Sequence, residues 1–370
     1  MDMKINPVFD KPKGQPVIIA GPCSAESEEQ VLKTARALAK QKIDCFRSGI
    51  WKPRTRPGSF EGVGVIGLKW LKTVKEETGL PVTTEVANRE HVFEALKHGI
   101  DVLWLGARTT VNPFSVQEVA DALKGVDIPV LIKNPINPDV KLWMGAIERI
   151  AKAGITKIGV IHRGFSSFGQ SNYRNEPRWQ LPIELKRQLP EIQVICDNSH
   201  ICGRRDTLAM VAQRAMDLQM DGLMTEVHPT PDDAWSDAAQ QITPAVFGKL
   251  VKGLKVRSES TNDVEFLEHI DDLRGQIDHL DNELLDLYGK RMKLAEAIGR
   301  YKKKNNIAIL QSGRWNEILE QSMEKGREKG LSDGFVTQVL TAIHQESINH
   351  QTKVMSEAKK AGKKTKKAKA

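Results

Sequence analysis

Residues 17–24 read Val-Ile-Ile-Ala-Gly-Pro-Cys-Ser, an apolar and partly β-branched run that stops on glycine, proline and cysteine where a strand should leave a sheet. Seven later runs share the form: DCFRSGI (44–50), PVTTEV (81–86), VLWLGA (102–107), PVLIKN (129–134), KIGVIHRG (157–164), QVICDNSH (193–200) and GLMTEVHP (222–229). Between them, segments 28–41, 64–79, 89–98, 115–123, 138–153 and 206–217 carry apolar residues at helical spacing. Eight strand-then-helix units predict an α/β fold, a (β/α)8 barrel over residues 1–253, with a doubly wound sheet as the alternative.

Residues 254–264 are polar and read as a linker. Beyond them no strand run occurs. Leu267, Ile270, Leu273, Ile277, Leu280, Leu284, Leu287, Leu294, Ile298 and Tyr301 step by threes and fours, which predicts one very long helix that must lie in a bundle or a dimer. Further helical patterns at 313–326 and 332–354 make residues 265–354 an all-α, three-helix domain.

The chain has 370 residues, 28% of them charged, and a net charge of +8. Its last fifteen residues hold seven lysines and one glutamate, six of those eight charges, so the basic balance belongs to a tail and gives no ground for a nucleic-acid partner. That tail, 355–370, has no apolar period and is expected to be disordered. With no apolar run of about 18 residues and no signal-like N-terminus, no membrane partner is expected and the cytoplasm is the expected location. Four cysteines are too sparse for a disulfide framework.

A parallel barrel gathers its chemistry at the C-terminal ends of its strands. Those ends hold Cys23, Arg47 with Lys52, Glu85, Arg108, Lys133, Arg163, Asp197 with His200, and Glu226 with His228. The excess of cations, Arg54 among them, suits an anionic substrate. Cys23, His200, Glu226 and Asp237 form a mixed sulfur, nitrogen and oxygen set that suits a divalent transition metal; a satisfied core histidine and an ordinary surface aspartate are the plainer reading.

The strand-end motifs carry a resemblance. GPCS (21–24), FRSGIWKPRT (46–55), GARTT (106–110), LIKN (131–134), HRG (162–164), DNSH (197–200), TEVHP (225–229) and WSD (235–237) resemble the 3-deoxy-D-arabino-heptulosonate 7-phosphate synthases over residues 10–253. The KPRT stretch is similar to these enzymes rather than to the octulosonate 8-phosphate synthases. The resemblance implies condensation of phosphoenolpyruvate with erythrose 4-phosphate. It also implies a divalent ion on Cys23, His200, Glu226 and Asp237, with Mn2+ first and Fe2+, Co2+ or Zn2+ as alternatives. By the same match Arg108 and Arg163 grip the phosphoenolpyruvate phosphate, Lys133, Lys52 and Arg47 face its carboxylate, and Arg54 and Thr55 take the aldose phosphate. A Schiff-base aldolase using Lys133 is the rival within the enzyme class. The loop after the sixth strand departs from related enzymes in lacking an acidic residue and a second arginine.

In the helical segment, Arg291 interrupts the apolar stripe, and Arg274, Lys302, Arg314, Ser347 and Gln351 accompany it. Four cations and two neutral hydrogen-bonding groups point to a dianion held inside a bundle. LRGQIDHLDNELLDLYGKRMKLAEAIGRYK (273–302) resembles the all-helical chorismate mutases. That implies rearrangement of chorismate to prephenate, with Arg274 and Arg291 on the carboxylates, Lys302 and Gln351 on the ether oxygen, and Arg314 and Ser347 in support. It also implies a homodimer in which Arg274 reaches the partner's site. Trp315 stands where a glutamate usually meets the substrate hydroxyl, and Gln311 replaces an acidic residue. A binding-only domain is the non-enzymatic alternative, and in either case prephenate or chorismate is expected to feed back on the barrel.

Overall fold

The computed structural model describes residues 3–12, 14–53, 58–167, 172–258, 260–310 and 312–366. The chain divides into two compact units, Met1–Glu259 and Ser260–Ala370. Among the described residues of the first, eight parallel strands close into one barrel in chain order: β1 Val17–Gly21, β2 Cys45–Arg47, β3 Val82–Val86, β4 Val102–Leu105, β5 Val130–Lys133, β6 Ile158–His162, β7 Gln193–Asp197 and β8 Gly222–Glu226. Each lies within one of the eight runs read from the sequence. The ring shuts where β1 pairs with β8, from Val17 against Gly222 to Gly21 against Glu226.

Successive side chains of a strand face opposite ways, so each strand feeds two cores. Val17, Ile19, Cys45, Val102, Trp104, Leu131, Ile161, Ile195 and Met224 pack together inside the barrel. The alternate positions, such as Ile18, Phe46, Leu103, Ile132 and Val160, join the layer between sheet and helices. The same period of two decides the rim. Two residues beyond the interior Cys45, Leu131, Ile161, Ile195 and Met224 stand Arg47, Lys133, Arg163, Asp197 and Glu226, which the pleat turns toward the barrel mouth.

Several of the outer helices begin on side-chain caps that satisfy their first free N–H groups. Ser27, Asn88, Asn112, Asp139 and Thr243 accept from the backbone at the starts of Glu28–Ala39, Arg89–Lys97, Pro113–Ala122, Val140–Lys152 and Pro244–Gly253. Gln180–Gln188 and Pro244–Gly253 are helices that the sequence reading did not assign; the former buries only Pro182 and Leu185, too few for a visible period.

Gly21 ends β1 at a φ of 152°, and a Cβ there would meet the carbonyl oxygen of Arg47 at 2.0 Å. Gly21→Ala must therefore push β1 away from β2. We expect it to destabilise the barrel by about 3 kcal/mol or more, read as a fall in the chemical-denaturation midpoint; a parent-like midpoint contradicts this close approach.

Among the described residues of the second unit, three helices span Val264–Lys304, Ser312–Glu328 and Asp333–Lys366. Asp263 caps the first through Phe266 N. Met292, Ala295, Val336, Ser347 and Gln351 are buried here, and Gly299 lets the last helix approach, since a Cβ there would lie 3.2 Å from Gln351 Cα. The apolar stripe, by contrast, is largely uncovered within this chain: Ile277, Leu280, Leu284, Leu287 and Leu294 are all exposed. The last helix, expected to end at 354, runs on to Lys366 through a stretch rich in alanine and lysine, both strong helix formers. Among the described residues no helix is long and apolar enough to cross a membrane.

Candidate active sites

Three strand ends, those of β1, β7 and β8, deliver the metal candidates. Cys23 follows β1, Glu226 ends β8, Asp237 opens the short turn Ala238–Gln240, and His200 lies in the helix Asn198–Cys202. Ligand atoms of Cys23, Glu226 and Asp237 lie within 4.8 Å of one another. His200 adjoins them, with Nε2 4.0 Å from Asp237 Oδ2 and Nδ1 3.7 Å from Glu226 Oε1. All four sequence candidates thus meet at one place. Glu226 Oε1 is buried without a hydrogen bond, although Arg47 lies 3.2 Å away as an ion-pair partner. A buried acceptor left open beside a thiol, a carboxylate and an imidazole is a donor set that fits a divalent cation.

Asp197 aims the histidine. Its Oδ1 accepts from His200 N at 3.0 Å as the helix cap, while Oδ2 lies 2.8 Å from His200 Nδ1 and accepts from Lys133 Nζ at 2.9 Å. Burial would raise this carboxyl, but His200 and Lys133 hold it well below the usual carboxylate range. Burial, followed by the charge of Glu226, pushes the Cys23 thiol up to about 12. Lys52 nevertheless donates to Cys23 Sγ at 2.9 Å, and the thiol lies 3.4 Å from Asp237 Oδ2. Asp237 is itself kept well below its ordinary value, against burial, by His200 and then Arg174.

A cationic wall stands beside this centre. Arg47 is almost fully buried; its NH2 donates to Cys23 O at 3.1 Å, and its guanidinium lies 5.0 Å from the Trp104 ring centroid. Lys133 Nζ is 5.7 Å from the same ring, whose Nε1 donates to Glu85 Oε2 at 2.9 Å. Arg163 is fixed by Asn134, which accepts its backbone N–H at 2.7 Å, and by Asn175, which accepts from NH1 at 2.7 Å. Burial, then the repulsion of Arg174 and Arg108, brings Arg163 down to about 10 despite Asp197. Arg163 thus feels the positive charge of both Arg174 and Arg108, a setting that suits an anion.

Arg54 and Thr55 lie outside the described residues, as does Gln311. His228 is not part of the cluster: its Nε2 lies 3.3 Å from Glu26 Oε2, a buried pair under the loop that leads to Asp237. Arg174, Asn175 and Gln240 were missed by the sequence reading. Arg174 lies in the loop after the sixth strand, and its guanidinium pairs with Asp237 Oδ1 at 3.1 Å.

In the helical unit, Arg291 NH1 donates to Ser347 Oγ, and Lys302 Nζ donates to Ile309 O at 2.6 Å. Gln351 Oε1 is buried with no hydrogen-bond partner. His344 joins this group unpredicted: burial, then Arg291 and Lys302, lowers its pKa, and it stacks on Trp315 with ring centroids 4.1 Å apart. Two of the candidates stay apart. Arg314 is exposed and paired with Glu317, and exposed Arg274 pairs with Asp271, about 25 Å along the helix from Arg291 at 1.5 Å rise per residue.

Residues 7–263 match the family model of the DAHP synthetase I family, and residues 273–352 match that of chorismate mutase type II. A phospho-2-dehydro-3-deoxyheptonate aldolase of Thermotoga maritima is 32% identical over 238 residues, covering 64% of this chain and 68% of its own. A 2-dehydro-3-deoxyphosphooctonate aldolase of Acidithiobacillus ferrooxidans is 33% identical over 243 residues, covering 60% and 81%. The crystal structure of a Thermotoga maritima phospho-2-dehydro-3-deoxyheptonate aldolase superposes with a TM-score of 0.59 at 29% identity, over 66% of this chain and 72% of that one.

Proposed function

Because the chain belongs to the DAHP synthetase I family and carries a chorismate mutase type II domain behind it, we propose that its barrel is metal-dependent and condenses phosphoenolpyruvate with erythrose 4-phosphate, while its helical unit converts chorismate to prephenate. The observation that carries the first half is the meeting of Cys23, Glu226 and Asp237, with His200 beside them, next to a wall of cations. These four residues would hold the ion, which supplies Lewis-acid polarisation of the aldose carbonyl. Arg108 and Arg163 hold the phosphate of phosphoenolpyruvate, and Lys133, Lys52 and Arg47 face its carboxylate. The enol carbon bonds to the aldehyde carbon, and these cations offset the charge that builds as water adds and phosphate leaves. Asp197, in contact with Lys133 and His200 together, keeps both in register with the reacting centre.

Lys133 as an imine-forming nucleophile is the second reading, and its nitrogen is already engaged with Asp197. EDTA should abolish condensation and Mn2+ restore it, with no substrate trapped by borohydride. Turnover that survives chelation, together with a trapped adduct on Lys133, would replace our reading by the aldolase. Supplying arabinose 5-phosphate in place of erythrose 4-phosphate tests the aldose; preferential use of the pentose phosphate assigns the barrel to octulosonate chemistry.

In the helical unit, Arg291 with Ser347, Lys302 and Gln351 is suited to a dianion folded into a compact conformer, and no acid, base or metal is required. The exposed stripe from Leu273 to Leu294 supports a homodimer, with a second copy covering the long helix and bringing its Arg274 to the site. Leu280→Asp with Leu284→Asp should halve the sedimenting mass and remove mutase turnover; an unchanged mass refutes this interface. Prephenate bound here is proposed to damp the barrel by linkage between the two ligands' affinities.

A further inference from the structure

Building on the metal site proposed above, we propose that Gln240 is a positioning residue of that site, turning one oxygen of Glu226 and one of Asp237 toward the ion. Its side chain lies 1% exposed at the end of the short turn that Asp237 opens, and its backbone N–H donates to Asp237 O at 3.2 Å. From there Nε2 donates to Glu226 Oε2 at 2.7 Å, and Oε1 accepts from Arg174 NH1 at 2.7 Å. The same guanidinium nitrogen lies 3.1 Å from Asp237 Oδ1. Each carboxylate therefore has one oxygen tied back, and the other faces the cluster: Glu226 Oε1 makes no hydrogen bond, and Asp237 Oδ2 faces Cys23 Sγ.

The carboxamide meets both demands, because it donates to a carboxylate on one side and accepts from a guanidinium on the other. A glutamate could not donate to Glu226 and would set two negative charges together. Asn175 extends the relay: it accepts from Arg163 and, through Nδ2, donates to His200 O at 2.6 Å. The pair Arg174–Asn175 thus touches the metal candidates and the phosphate-binding arginine in two adjacent residues. Support of this kind orients ligands before the ion arrives, and losing it lowers metal affinity by about 10- to 100-fold.

The test titrates Co2+ into the metal-free full chain and follows its absorption bands for Gln240→Ala and for Gln240→Met, which keeps the bulk but not the hydrogen bonds. Both should bind Co2+ about 10- to 100-fold more weakly, with a parent-like melting temperature before metal is added and most of kcat recovered at saturating Mn2+. If alanine weakens binding and methionine does not, the residue only fills space and the proposal is overturned. Parent-like affinity in both variants overturns it as well. Should either substitution unfold the metal-free chain, Arg174→Lys at the exposed end of the relay must show the weakened binding, and parent-like binding there refutes the idea. A parent chain that binds no Co2+ removes the metal site itself, which distinguishes failure of that reading from failure of this one.

Discussion

Cys23→Ala is expected to lower condensation turnover by about a thousandfold or more, since the Lewis acid it would help to hold is worth several kcal/mol of barrier. Alanine leaves only a small void at a fully buried position, so the thermal midpoint should move by only a few degrees. The variant should take up Mn2+ far less tightly in equilibrium dialysis, and excess Mn2+ should restore little. Mutase turnover, which belongs to the other compact unit, should stay at the parent value and serves as the internal control. If Cys23→Ala keeps parent-like turnover that EDTA does not touch, the thiol is a core residue and the barrel works without the ion.

Arg291→Ala should cost the mutase reaction about a hundred- to a thousandfold in kcat, the usual loss when one preorganised donor to a developing charge is removed. Arg291 is the charge that meets Ser347 and depresses His344, so its removal empties the middle of the cationic group. Condensation without prephenate should be unchanged. If prephenate acts through the helical unit, its inhibition of the barrel should vanish in the same variant. Inhibition that persists at parent strength would put the effector on the barrel instead. A variant that still rearranges chorismate at the parent rate would show that Arg291 sets helix register and nothing more.

The strands were legible because most are short apolar or β-branched runs that lead to a chemically distinctive residue, and because a parallel barrel buries strands on both sides. Their rim residues were legible for the same reason: the period of two that places Ile195 and Met224 inside also places Asp197 and Glu226 at the mouth. Arg174, Asn175 and Gln240 were not. They sit on loops and in a three-residue turn, where no period marks an inward side chain, and two of them act by uncharged amides that sequence alone cannot tell from solvated ones. His344 escaped because its meaning comes from Trp315, a partner on another helix. The length of the long helix was readable, whereas its exposure was not, since a stripe of leucines looks the same whether its cover comes from the same chain or from another.

Carrying both compact units on one polypeptide has a bearing on supply and demand. Every ribosome that finishes this chain delivers one copy of each catalyst, so their stoichiometry is fixed at synthesis and gene expression cannot tune one against the other. Any adjustment between the rate of entry and the rate of exit must then come from the chemistry of the assembled protein.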